Sequence, residues 1–318
     1  MSEKLYLVIN RIEVLGANAI SGPLTYGFPA ITGFLGATHA LNRAIQKDYD
    51  VNLTGTLIAS HSCEVQSYRP YFNAEYTFNL TRNPIKRDGK TASIVEEGKV
   101  NLTATLMIEI TAQTPILQKI YQDQDTFTQA IYNQMMRQRL CGGSIHKIDH
   151  IEIEISADNL GFKLLPAFVL NDASSDLIDI TEQMQASNPE ATPLDALIET
   201  CTLHHLPPNK DLNKKDWYTE TVKKGRGWLV PISVGYQPIA EQMPPDTLSS
   251  SRAPEYPSQY VETIFSLGKW EFPARINNIA DCFWHYTITD DNLYLVSQSP
   301  NLPTTLRGNM PWLQKRKN

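Results

Sequence analysis

The 318-residue sequence has no paired cysteine motif, no long apolar run and no excess of positive charge. Each absence removes a class of protein. The four cysteines, Cys63, Cys141, Cys201 and Cys282, lie far apart and form no C-x-x-C pair, which argues against a zinc ribbon or a thioredoxin-type redox site. Buried, reduced thiols are the expectation. No window offers the roughly 18 uninterrupted apolar residues of a membrane-crossing helix. The opening MSEKLYLVINRIEVLGANAI carries Glu3 and Lys4, and Asn10, Arg11 and Glu13 interrupt its apolar stretch, unlike a secretory leader. A soluble, cytoplasmic protein with no membrane partner is expected. With 28 Lys and Arg against 34 Asp and Glu, the formal net charge is −6, opposite in sign to a typical free-standing nucleic-acid binder. A clustered basic face remains compatible with that total, and the acidic remainder suits docking onto basic partner subunits.

Catalytic signatures are missing as well. There is no Walker loop, G-x-G-x-x-G, H-E-x-x-H, G-x-S-x-G elbow or calcium-loop pattern. Among the seven histidines only His204 and His205 are adjacent. His146 and His150 sit four apart in a strand-like stretch, on one face but too far apart to chelate comfortably. Glu96-Glu97 and Asp290-Asp291 read as solvated loop charges. No catalytic residue, metal or cofactor is expected.

What is present is a mixed pattern of strands and helices. Leu5–Leu15 reads as a strand broken by Gly16, and Ala30–Lys47 has apolar residues at helical spacing. Val51–Val65 and Lys99–Thr111 alternate apolar and polar residues with period two. Asp125–Leu140 reads as a helix capped by Asp125 or Thr126 and stopped by Gly142-Gly143. Ile145–Ile155 and Lys163–Leu170 follow as strands. This β-α-β-β-α-β order is that of ferredoxin-like and RNA-recognition folds, an α+β class. Further on come short helices at Asp176–Gln185 and Pro193–Cys201 and a Pro/Lys/Asn-rich loop at Leu206–Asp216. A strand GWLVPISVGY, a Pro/Ser linker at Gln242–Ser258 and a Trp/Tyr-rich terminal region complete the chain.

Three stretches stand out chemically. In Arg82–Lys90, Arg82, Lys86, Arg87 and Lys90 face a single acid, Asp88, with Asn83-Pro84 and Asp88-Gly89 as turn signals. A basic hairpin of this kind clamps phosphates, because Arg and Lys pair with backbone oxygens without reading sequence. In GANAISGPLTYGFP, small residues permit close approach of a nucleic-acid backbone, while Tyr26 and Phe28 offer rings for bases to stack on. In RQRLCGGSIHK, Arg139 precedes Gly142, Gly143 and Ser144, whose turn amides can bind phosphate, although a plain helix C-cap fits as well. Trp217, Trp228, Trp270, Trp284 and Trp312 could support binding surfaces or fill the core. The final QKRKN is a short basic tail.

The sequence resembles the guide-RNA 5′-handle-binding subunit of the type I-F (Csy) CRISPR complex. The resemblance is carried by ANAISGPLTYGFPAITGFLGATHALNR, FNLTRNPIKRDGKTASIVEEGKVNL, MRQRLCGGSI, LLPAF, TPLDALIE, GWLVPISVGY and YVETIFSLGKW, in the family's order. It implies an RNA-recognition core at residues 1–170 with a β-hairpin thumb inserted at about 67–98. Residues 171–318 would add helices and strands, part of which completes the core. It also implies that the chain binds the 5′ handle of the guide RNA (crRNA) without cutting it, pairs with the large subunit, and abuts the guide-coating backbone subunit. Target DNA would be met only through the assembled complex. Gly22, Thr25, Arg82, Arg139, Gly142 and Ser144 fall in matching motifs and are the expected RNA contacts. The segments 172–191 and 207–227 match loosely. Two rival readings remain. One is a metal-independent endoribonuclease using His39 or His61 with Tyr26 or Lys86 as acid and base. The other is a scaffold whose basic loop touches only acidic protein surfaces.

Overall fold

A bulge at Asn10 and Arg11 sets the alternation of the first strand, β1 (Lys4–Asn18). Leu5, Leu7 and Ile9 point to one face, and so do Ile12 and Val14, because the register shifts between Ile9 and Ile12, where Arg11 adopts a φ of 48°. Such a bulge swaps odd for even positions and so lets one strand keep a continuous apolar face. The structure, a computed structural model, describes residues 4–157, 160–207, 217–249, 251 and 253–298.

After β1 come α1 (Ile31–Tyr49), β2 (Asn52–Val65), β3 (Lys99–Thr111), α2 (Thr114–Gln122) and α3 (Gln124–Met135). Then follow β4 (Arg139–Leu140), β5 (Gly143–Glu154), α4 (Leu160–Lys163), β6 (Phe168–Asp172), α5 (Ser174–Ser187) and α6 (Pro193–Thr200). The chain continues through β7 (Trp228–Pro238), β8 (Val261–Glu271), β9 (His285–Ile288) and β10 (Tyr294–Ser297). The ten strands form one sheet in the order β4-β5-β1-β3-β2-β6-β8-β7-β10-β9, with every neighbouring pair antiparallel. The architecture is α+β. The two halves of the sheet meet at a narrow seam, where β6 pairs with β2 only through Phe168–Ser60 and Val169–Ala59.

One face of the β1 half is packed under helices. Ile31, Phe34, Leu41 and Ile45 of α1, Leu117 and Ile120 of α2, and Phe127, Ile131 and Met135 of α3 cover it. Each fully buried side chain of this size contributes roughly 1.5–3 kcal/mol. On the opposite face, Tyr6, Val8, Leu57, Ala59 and Met107 lie under Leu160, Leu164, Ala167, Ile279, Cys282 and Phe283. The Tyr6 and Phe283 rings are 5.6 Å apart. In the other half of the sheet, Ile180, Ala196 and Leu197 of α5 and α6 cover Leu229 and Leu267.

Several sequence expectations are corrected. Gly16 does not end β1: it takes a φ of 65° and the strand runs on to Asn18. The helix expected to reach Leu140 stops at Met135, because Arg139 and Leu140 pair with Ser144 and Gly143. Gly142-Gly143 is therefore a hairpin feature and not a helix stop. The strand expected from Lys163 begins only at Phe168, since Leu160–Lys163 is helical. Helix α2 had no counterpart in the sequence reading, although Pro115 in its first turn is a helix-start signal. The linker at Gln242–Ser258 is closed by a bridge between Met243 and Ser258. Cys141 and Cys282 are buried as expected, with burial pushing the Cys282 thiol up to about 12, but Cys63 and Cys201 are exposed. Most of the loop expected at Leu206–Asp216, together with Trp312 and the QKRKN tail, lies outside the described residues.

Candidate nucleic-acid interface

Between β2 and β3 the chain leaves the sheet as an arm of two short antiparallel ladders. Ser67–Tyr68 pairs with Thr77–Phe78, and Leu80–Arg82 pairs with Ile94–Glu96. At the tip, the Lys86 amide donates to the Lys90 carbonyl at 2.8 Å and the Gly89 amide to the Lys86 carbonyl at 2.9 Å. Gly89 takes a φ of 79° in this turn, a conformation that disfavours a side chain. Lys90 Nζ lies 3.3 Å from Asp88 Oδ2, a solvent-exposed pair of small energetic weight. Arg82, Lys86 and Arg87 are exposed and, among the described residues, make no ion pair. Nearer the root, the arm bears exposed Tyr68, Tyr71, Phe72 and Tyr76, with the Arg69 guanidinium 5.0 Å from the Phe72 ring and 5.1 Å from the Tyr76 ring.

The arm is anchored beside the β4–β5 turn. Cys141 and Gly142 have φ values of 51° and 81°, as a two-residue type I′ hairpin requires. The Cys141 carbonyl accepts from the Asn18 amide at 2.9 Å. Gly143 is needed for contact with β1, since a Cβ there would stand 2.6 Å from Val14 Cγ1 and 2.7 Å from the Ala17 amide nitrogen. The turn and the arm root together line a cleft of about 560 Å³ that includes Asn18, Ile20, Glu96, Glu97, Lys99, Arg139, Gly142 and Ser144. Within it Lys99 pairs with Glu97 at 2.9 Å, and Arg139 Nη1 reaches the Gly142 carbonyl at 3.4 Å.

The loop after β1 folds into a small ladder of Ile20–Gly22 with Thr25–Tyr26. The Thr25 and Ser21 hydroxyls are 2.6 Å apart, and Ser233 Oγ donates to the Ser21 carbonyl at 2.8 Å. Gly22 packs so closely on β7 and β8 that a Cβ would come within 2.9 Å of Phe265. Tyr26 is 69% exposed and meets Phe78 of the arm edge-on at 5.4 Å. Phe28 is not free to stack on a base with both faces: it stacks on Phe34 at 5.3 Å and meets Trp270 edge-on at 4.8 Å. Beside this loop a groove of about 620 Å³ runs along Thr25, Tyr26, Phe28, Ser60, His61, Phe168 and Trp228.

The structure thus brings Arg139, Gly142 and Ser144 to the arm root and Tyr26 to the arm base. It leaves Arg82, Lys86, Arg87 and Lys90 further out on the arm, and it uses Gly22, Phe28 and Gly143 in packing. Asn18, Ile20 and Lys99 were missed as site residues although they lie in stretches that the sequence singled out, because each is an ordinary residue type at or just beyond a strand end. Trp228 and Phe168 were missed as site residues although both sit in stretches that carried the family resemblance.

The histidines raised by the nuclease reading are already engaged. Thr105 Oγ1 donates to Asn10 Oδ1 at 3.0 Å and accepts from the Arg11 amide at 3.1 Å, so His61 Nε2, 2.8 Å away, donates to it. His61 Nδ1 is buried without a partner. Burial first, and the Arg11 charge second, hold the His61 pKa below the ordinary histidine value. His39 Nδ1 lies 2.9 Å from the Tyr286 hydroxyl. Among the described residues no cluster of His, Cys, Asp and Glu is arranged to hold a metal. No helix among them is long and apolar enough to cross a membrane.

Comparison with known proteins points one way. The family of CRISPR-associated protein Cas_Csy2 matches residues 7–296. CRISPR-associated protein Csy2 of Pseudomonas aeruginosa (strain UCBPP-PA14) is 33% identical to the chain over 313 residues, covering 91% of this chain and 93% of the relative.

Proposed function

Because the chain belongs to the Csy2 family of CRISPR-associated proteins, subunits of the type I-F complex, we propose that it is the non-catalytic subunit that holds the 5′ handle of the guide RNA. The observation that carries this reading is the cleft at the arm root. Arg139, Gly142 and Ser144 share it with Lys99 and Ile20, beside an arm that ends in Arg82, Lys86, Arg87 and Lys90. Cations of this kind pair with phosphates and position a strand, while unpaired bases are read by stacking and edge hydrogen bonds. The strand order β5-β1-β3-β2, with α1 and α3 on one face, supports a ferredoxin-like RNA-recognition core in residues 1–170. The opposite face of that core is covered by Phe283 and its neighbours, so the reading assigns the bases to the arm and the loop after β1 and not to the open sheet.

Within the cytoplasmic complex the chain pairs with the large subunit, abuts the guide-coating backbone subunit, and meets target DNA only through the assembly. The reading without cleavage is supported by His61, whose Nε2 donates to Thr105 and whose Nδ1 is buried, while the exposed His39 is held through Nδ1 to the Tyr286 hydroxyl.

The test is a gel-shift titration of labelled guide RNA with intact and scrambled handles, using the chain co-expressed with its large subunit and scoring cleavage in the same lanes. Handle-dependent binding without cleavage is expected. Metal-independent cutting would replace this reading with the nuclease, and indifference to the handle would leave the scaffold.

A further inference from the structure

We propose that the 620 Å³ groove between the loop after β1 and the end of β7 is a nucleobase pocket that takes unpaired bases of the bound RNA, with Trp228 and Phe168 as its stacking walls. The inference rests on the RNA-binding reading and adds a second site to it. Four stretches remote in sequence meet at this groove: SGPLTYGFP through Thr25 and Tyr26, LLPAF through Phe168, GWLVPISVGY through Trp228, and SLGKW through Trp270. The same four stretches carry the resemblance to the family. The groove lies where β6 begins and the sheet seam narrows to Phe168–Ser60 and Val169–Ala59.

Its chemistry selects the occupant. No Asp, Glu, Lys or Arg lines it, and its one histidine, His61, is kept from charging by burial, so a phosphate would be stripped of water there without a counter-charge. A nucleobase carries no charge, has two apolar faces and a polar edge. The lining matches that division: aromatic rings of Phe168 and Trp228 alternate with the hydroxyls of Thr25, Ser60 and Ser62. The Thr25 hydroxyl already bonds Ser21, but aliphatic side chains from a partner protein would cover the rings and offer the Ser60 and Ser62 hydroxyls no partner, at a cost. The volume falls within the roughly 300–1,000 Å³ of small-ligand pockets. Trp228 is 56% exposed, so it is open to a stacking partner despite its edge contact with Phe168 at 5.6 Å. Tyr26 stands at the mouth and touches Phe78 of the arm, so a strand following the arm's cations passes the opening.

The test uses the co-expressed complex and two guide RNAs, one with an intact handle and one whose handle nucleotides are abasic but keep their phosphates. Trp228→Ala is expected to weaken the intact RNA roughly tenfold, as loss of one base–aromatic stack implies, without changing the affinity for the abasic RNA. Trp228→Phe, which keeps a ring, should restore binding and so separates the pocket from a folding defect. Equal weakening of both RNAs, or loss of another subunit from the complex, would overturn the pocket in favour of a protein-docking groove. Lys86→Glu with Arg87→Glu is the parallel control. It should weaken both RNAs alike, whereas equal binding of intact and scrambled handles by the parent complex would sink the RNA-binding reading itself, a result distinct from failure of the pocket alone.

Discussion

The cations of the arm and the glycine of the β4–β5 hairpin act over different distances. Arg82, Lys86 and Arg87 are exposed cations on an arm, and their clustering in sequence already says so. Gly143 carried the same visual signal as a phosphate-binding glycine, yet its smallness serves β1, more than a hundred residues away in the chain. A Cβ at Gly143 would press on Val14 and on the Ala17 backbone, which cannot move without breaking the β1 ladder. Gly143→Ala is therefore expected to cost about 1–3 kcal/mol in denaturant unfolding, the usual range for overpacking. Gly142→Ala would also be strained, at a φ of 81°, but it meets only Asn18 Cβ at 4.0 Å. His61 makes a pH prediction. Its pKa is lowered in the folded chain, so its neutral form is favoured by folding. The stability this contributes is complete above the unfolded value near 6.5 and is lost as pH falls from there through the lowered folded value. His285, lowered chiefly by burial, acts with the same sign. Denaturation midpoints should fall between pH 7 and pH 5, and His61→Gln, which keeps a donor for Thr105, should show a shallower fall than the parent.

At the scale of elements, the arm is separable from the fold. Between Ala59 and Val100 no hydrophobic side chain belongs to the buried core, so the arm adds nothing to the packing that holds the sheet. Replacing residues 83–92 with a Gly-Ser turn is expected to leave the melting temperature nearly unchanged, as surface changes usually do. The same change should flatten the salt dependence of RNA binding, by about one unit of slope for each phosphate-contacting cation removed. Preserved salt dependence would place the phosphate contacts elsewhere. Strong periodicity made α1, β2 and β3 legible in the sequence. By contrast, α2 is nine residues long with only Leu117 and Ile120 buried, too few to draw a helical stripe. The end of α3 was misplaced because Arg139 and Leu140 are claimed by pairing with β5, a tertiary choice that local propensity does not record.

For the molecule as a whole, the acidic total charge and the basic arm are compatible because they occupy different places. Exposed apolar side chains are also spread over separate surfaces: Phe72 on the arm is 85% exposed and Phe162 on α4 is 75% exposed. The exposed Tyr68, Tyr71, Phe72 and Tyr76 lie close together in sequence on the arm, and a contiguous apolar surface favours association. The isolated chain is expected to self-associate in light-scattering chromatography and to become monodisperse on co-expression with the other subunits of a type I-F complex. A heat-stable lone monomer would contradict this. The resemblance placed the chain in its family, but the groove at Trp228 became visible only when four remote stretches were seen side by side.

The cover on the second sheet face has a consequence for biosynthesis. Tyr6, Val8, Leu57 and Met107 are in place once the ribosome has made β3, and β5 completes that end of the sheet. Leu160 and Leu164 follow at once, but Ile279, Cys282 and Phe283 emerge much later. At ordinary translation speeds of roughly 5–20 residues per second, that leaves an interval on the order of ten seconds. During it a folded but half-roofed sheet, with Tyr6 lacking its Phe283 lid, is tethered to the ribosome and open to capture by chaperones or by neighbouring nascent chains.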